Sequence, residues 1–169
     1  MAVLNQIRML LLASWLGAAI LFSAVVAPNA FRVLRAFGLA HGLSNANEIA
    51  GTIVTLTLSI INTSGFILGL LLVISAFAVG RSYRQRLFVL EIVMLLILSI
   101  TTGLGEWVIA AKMRALRAAM RLPIDQVALN DPNRIAFAAL HGYSVAALGI
   151  AMIAALISFF VVANRVKLN

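Results

Sequence analysis

The chain of 169 residues contains no cysteine, which excludes a disulfide framework, a thiolate metal site and a thiol nucleophile. Acidic residues are scarce, 5 against 13 basic ones, and histidine occurs only as His41 and His141. The sequence has no His-Glu-x-x-His zinc motif, no Gly-x-Ser-x-Gly elbow and no phosphate-binding glycine loop. No complete catalytic set can be assembled, so the sequence leans away from an enzyme. Charge is missing above all from the long apolar stretches. Only 11% of residues are charged while 63% are hydrophobic, and mean hydropathy is +1.09.

Those apolar stretches give the class. A hydrocarbon core about 30 Å thick needs roughly 20 residues of helix. Four stretches qualify, over about 9–28, 51–79, 87–111 and 135–163. Ile92 to Leu98 is apolar on every side, as a lipid-facing helix requires, where a barrel strand would alternate. The expected fold is all-α: a polytopic membrane protein, a bundle of four transmembrane helices forming one domain over 1–169. Arg8 ahead of an apolar run imitates a secretory signal. The length of that run, with Pro28 directly after Ala27, reads instead as a first transmembrane helix.

A net charge of +8 would suggest nucleic acid in a soluble protein. Here the cations flank helix ends, as in Arg81, Arg84 and Arg86, or Lys112, Arg114 and Arg117. That placement points to a bilayer with anionic headgroups as the partner, and to no nucleic acid. Four spans put both termini on one side. The two sides are nearly tied in positive charge, and the Arg81–Arg86 loop, free of acids, tips the termini to the cytoplasmic face of a bacterial cytoplasmic (inner) membrane.

Between the stretches, Phe31 to Phe37 reads as a short interfacial helix, and Asn45 with Glu48 fits a capping box for the second helix. The helical pattern after the third stretch continues through Arg121 and stops at Pro123. Asp131 and Pro132 open the fourth helix.

Ionisable and amide groups inside a span are costly and call for a reason. Glu106 and His141 are expected at similar shallow depth on one side, with Thr102 and Ser144 on their respective helix faces and Arg32 closing the first helix nearby. One reading is a polar pocket with His141 as proton carrier or axial ligand of a haem or chlorin. The other is an interhelical hydrogen bond, with Arg32 offsetting charge. Asn62 lies mid-helix beside Thr63 and Ser64, suggesting a helix contact or a small polar cavity. Gly65 and Gly69 form a close-approach step. Glu91 is expected to pair locally with Arg84 or Arg86, and His41 reads as solvated.

Several strings together carry a family resemblance. They are Trp15-Leu16-Gly17, Phe22, Val26-Ala27-Pro28 and Phe31; Ala50 to Val54; Lys112 to Arg117; and Phe137 to Ser144 with Leu140-His141 inside it. In this order the chain resembles the four-helix membrane domain of unknown function typified by transmembrane protein 205. The resemblance implies a small membrane bundle. The chain departs from it early in the second helix, with Thr55, Thr57 and Ser59 where aromatics are usual, and at Ala146 and Ala147 where a polar residue is usual.

Three roles follow as expectations. The first is a non-enzymatic accessory or structural subunit of a membrane assembly, partnered by other membrane subunits or by further copies of itself. The second is a small transporter or permeation protein using the Glu106, His141 and Asn62 line. The third is a haem- or chlorin-holding protein using His141.

Overall fold

A computed structural model describes residues 2–79 and 85–166. Four long helices account for nearly all of them: α1 Val3–His41, α2 Ala46–Ala78, α3 Gln85–Ala119 and α4 Pro132–Asn164. Each is long and apolar enough to cross a membrane, and no strand occurs among the described residues. The helices run up, down, up and down. Each packs on its neighbour in sequence, and α4 closes the ring against α1.

The ends depart from the sequence reading. The first helix was expected to close at Pro28 with a separate interfacial helix after it, yet α1 continues through Pro28 to His41. Proline lacks the N–H for the carbonyl four residues back and crowds that carbonyl. The chain answers with a π-helical turn, Phe22–Val26, in which the Ala27 N–H reaches the Phe22 carbonyl. The wider turn re-routes the ladder upstream of the proline and the helix survives. Gly42 ends α1 in the left-handed conformation (φ 70°), and Leu43 N–H returns to the Gly38 carbonyl at 3.0 Å. At the start of α4 the expected cap is present. Asp131 Oδ1 accepts from the N–H groups of Asn133 (2.8 Å) and Arg134 (3.1 Å), and Pro132 occupies the first turn.

Packing inside the ring relies on small residues, because lipid offers no apolar driving force between helices and close van der Waals fit must hold them. The Gly65–Gly69 step faces inward to two different partners. A Cβ on Gly65 would lie 2.8 Å from the Trp15 indole of α1, and one on Gly69 would lie 2.1 Å from Ser99 Oγ of α3. Trp15 Nε1 donates to the Ile61 carbonyl at 3.0 Å, joining α1 to α2. Leu12, Phe22, Leu72, Leu95, Leu98, Leu148 and Ala151 fill the remaining core. Outside, Ile60, Ile67, Ile74, Ile100, Ile153 and Phe160 are exposed, as a lipid-facing surface requires.

Candidate functional site

Polar side chains collect on the inside of the bundle at two levels. A helix of 33 residues, such as α2, is about 50 Å long, so a centred bundle projects about 10 Å beyond a 30 Å hydrocarbon core at each end. The first level lies near the termini. Arg8 of α1 and Glu91 of α3 form an ion pair between Arg8 Nη2 and Glu91 Oε1, with side chains 1% and 0% exposed. Arg8 also donates to Asn5 Oδ1 and to the Leu72 carbonyl of α2, each at 3.4 Å. α1 and α3 stand diagonally across the ring, so the pair ties opposite corners through the middle. The sequence pointed Glu91 to Arg84 or Arg86; among the described residues the structure pairs it with Arg8, and Arg84 lies outside them.

The second level holds the residues singled out from the sequence. Counting about 1.5 Å per residue from the helix ends opposite the termini, Asn62, Glu106 and Ser144 fall within roughly 6 Å of one height. All three are buried. Glu106 sits in a second π-helical stretch, Leu104–Ala110, and Gly105 beside it lets the Asn62 carboxamide press against the backbone. A Cβ at 105 would meet Asn62 Nδ2 at 3.1 Å. Glu106 Oε1 accepts from Arg114 Nη1 at 3.3 Å, whereas Oε2 is buried with no hydrogen-bond partner among the described residues. Thr102 donates to the Leu98 carbonyl at 2.7 Å and so satisfies itself within α3.

The structure does not draw the other expected members into this group. His141 is exposed on the outside of α4, and no hydrogen bond joins it to Glu106 among the described residues. Arg32 is also exposed, and the cation that meets Glu106 is Arg114. A haem or chlorin on His141 would therefore lie on the outer surface of the bundle. His41, the last residue of α1, is exposed and stacks its ring on Phe37 with centroids 4.0 Å apart.

A further network was not anticipated. The N-terminus of α2 is capped from a distance by Asp125, which lies in the connector between α3 and α4. Its Oδ2 accepts from the N–H groups of Asn47 (3.1 Å) and Glu48 (3.3 Å), while Oδ1 accepts from the Asn47 side chain. Glu48, expected to complete a capping box with Asn45, instead pairs with Arg117 of α3 at 2.6 Å. Arg35 Nε donates to Asn47 Oδ1 and brings the end of α1 into the same cluster. Removing a cap of this kind costs about 1 kcal/mol. Asp125→Ala is accordingly expected to speed hydrogen exchange in the first turns of α2 while mid-helix amides keep their protection. Unchanged exchange at 47–52 would show that the cap is idle.

Fold and site together define a four-helix transmembrane bundle, apolar outside and selectively polar inside. The chain belongs to the family of a domain of unknown function (DUF4149), whose model matches residues 10–121. That match takes in Trp15, Asn62, Glu91 and Glu106; Arg8 and the whole of α4 lie beyond it. No curated protein and no solved structure matches the chain.

Proposed function

We propose that the chain is a non-enzymatic accessory or structural subunit of a membrane assembly, which docks onto a neighbouring transmembrane helix through the outer face of α4. One observation carries this reading. Ala138, Gly142, Ala146 and Gly149 recur along that face, and a Cβ on Gly142 or Gly149 would meet nothing within 4 Å. Gly65, Gly69, Gly103 and Gly105 each admit a close neighbour within the chain, so their small size serves the bundle itself. The α4 glycines serve no contact of this chain, and small residues on a lipid-facing surface suit close approach by another helix. His141, an exposed polar group at the edge of the same face, gains a partner in the same way. α1, packed beside α4, adds exposed Ala13, Ser14, Gly17 and Ala18.

Within this reading the chain is placed in a bacterial cytoplasmic membrane with its termini inside. Its likeness to the transmembrane protein 205 domain, drawn on Trp15-Leu16-Gly17 and Leu140-His141, belongs to the same proposal. A second reading, a small permeation protein, draws on one specific observation: the buried Glu106 Oε2, which has no hydrogen-bond partner among the described residues.

Because the native sequence lacks cysteine, a single Gly142→Cys variant can be crosslinked at one site in intact membranes. The expected product is one discrete adduct with a transmembrane polypeptide. Crosslinking from Ala139→Cys on the same face should disappear when Gly142→Leu is added, with no loss of bundle stability, because position 142 meets nothing inside the chain. Indifference of the adduct to Gly142→Leu, or no adduct at all, overturns the docking face.

A further inference from the structure

Glu106 is 7% exposed, and its two oxygens are not alike. Oε1 accepts from Arg114 Nη1 at a long 3.3 Å, a single contact where a guanidinium and a carboxylate can share two. Oε2 is buried with no hydrogen-bond partner among the described residues. By helix length Glu106 lies about 20 Å from the Ala119 end of α3, which puts it about 10 Å inside the hydrocarbon core of a centred bundle. Arg114 stands on the same helix about 8 Å from that end, among the headgroups, with its side chain 53% exposed. That side chain is a polar link between the buried carboxylate and the membrane surface.

The surroundings decide what Oε2 can receive. α2 and α4 pack against this π-helical stretch, and neither brings a charged group to its level. Asn62 and Ser144 are the buried polar groups they supply at this height, and neither titrates. His141 and Tyr143 of α4 and Lys112 of α3 are exposed. A hard metal cation takes about six oxygens or more. No group of three His, Asp or Glu side chains that could hold one gathers among the described residues. An organic ammonium needs room, yet a Cβ on neighbouring Gly105 would already meet Asn62 Nδ2 at 3.1 Å. A proton needs one oxygen and no added space.

We propose that Glu106 is a proton-binding site, which takes a proton on Oε2 and releases Arg114 as it does so. The proton comes from water at the headgroup layer where Arg114 stands, and the carboxylate becomes a neutral carboxyl. Arg114 keeps its own charge, which arginine does not shed. Its contact with Glu106 then loses its ionic character, and the guanidinium is free to turn to the headgroups. The site stands apart from the docking face on α4. It rests on the same buried oxygen as the permeation reading and names the ligand of that oxygen.

Labelling of the full chain in phospholipid vesicles with dicyclohexylcarbodiimide, mapped by mass spectrometry, tests the site without any substitution. This apolar reagent condenses with a protonated carboxyl. The proton passes to a carbodiimide nitrogen as the carboxyl oxygen bonds the central carbon, and the adduct rearranges to a stable N-acylurea. An adduct is expected on Glu106, forming more slowly as pH rises, and not on Glu91, whose Oε1 is paired with Arg8. Arg114→Gln takes away the cation that competes with the proton and should speed labelling about tenfold, the scale of one charge-assisted contact. His141→Gln should leave the rate unchanged, because that side chain is exposed on α4. No adduct on Glu106, equal labelling of Glu91, or a rate indifferent to Arg114→Gln overturns the site. Proton flux across the same vesicles separates this inference from the permeation reading. Labelled Glu106 without flux ends permeation and leaves the site standing, whereas flux with Glu106 unlabelled ends the site.

Discussion

Glu91→Leu, made with Arg8 left in place, is expected to lower the stability of the bundle by about 3–5 kcal/mol, the cost of removing one partner from a buried ion pair. Arginine cannot shed its proton to escape the interior. With Glu91 gone, the acceptors that Arg8 keeps among the described residues are Asn5 Oδ1 and the Leu72 carbonyl, both neutral and both at a long 3.4 Å. The charge would remain, at 1% exposure, between helices that stand diagonally across the ring. Arg8→Met with Glu91→Leu removes both charges and should recover most of the loss, because an apolar pair of similar volume often matches or exceeds a buried salt bridge. Unfolding in mixed micelles, followed by helical circular dichroism, measures both variants. If the single variant unfolds within about 1 kcal/mol of the parent, the diagonal pair is not a principal tie.

The contrast between the two carboxylates explains why the interior has two characters. Glu91 is closed in by a partner from the opposite corner. Glu106 shares one oxygen with Arg114, itself 53% exposed, and its other oxygen is buried with no hydrogen-bond partner among the described residues. A structural tie favours the first arrangement. The second leaves a polar group inside a π-helical stretch, a rare local geometry that is frequent at functional sites.

The helices were legible in the sequence because length and unbroken apolarity decide a membrane span with no need of partners. Their ends were not. Pro28 carries a strong local stop signal, and only the π-helical turn at Phe22–Val26 shows how the chain passes it. Local spacing pointed Glu91 to the arginines next to it, and could not show its partner among the described residues, Arg8, 83 residues away in sequence. A signal for it existed: Asn5 and Arg8 are three residues apart, on one face of an otherwise apolar helix. The face of α4 that carries His141 was not legible, for a different reason. α4 is apolar on nearly all sides, so its pattern has no phase to say which face turns inward, and a lone histidine could be assigned to either. Asp125 belongs to an irregular connector where no periodicity applies, and its role as a cap for a helix 78 residues earlier in sequence is purely tertiary.

Gly65→Ala is expected to part α1 from α2, although alanine is the mildest substitution available and a better helix former than glycine. The added methyl would lie 2.8 Å from Cε2, Cζ2 and Nε1 of Trp15. A flexible side chain could turn aside, but these atoms belong to one rigid ring system. That ring is 6% exposed and is anchored by its Nε1 hydrogen bond to the Ile61 carbonyl. Either the indole rotates and the bond is lost, or the helices separate and the packing around Leu12 and Ala19 loosens. Overpacking of this kind costs about 1–3 kcal/mol, and the rigid obstacle places Gly65→Ala at the upper end of that range. In a Trp107→Phe background Trp15 is the sole indole, so its fluorescence reports the displacement directly as a shift to longer wavelength. Trp15→Phe in the otherwise native chain supplies the decisive comparison. A smaller ring without an N–H vacates the space that the methyl needs, so Gly65→Ala should cost far less in the Trp15→Phe background than in the chain that keeps the indole. Equal costs in the two backgrounds would mean that the contact between Gly65 and the indole does not set the spacing of α1 and α2.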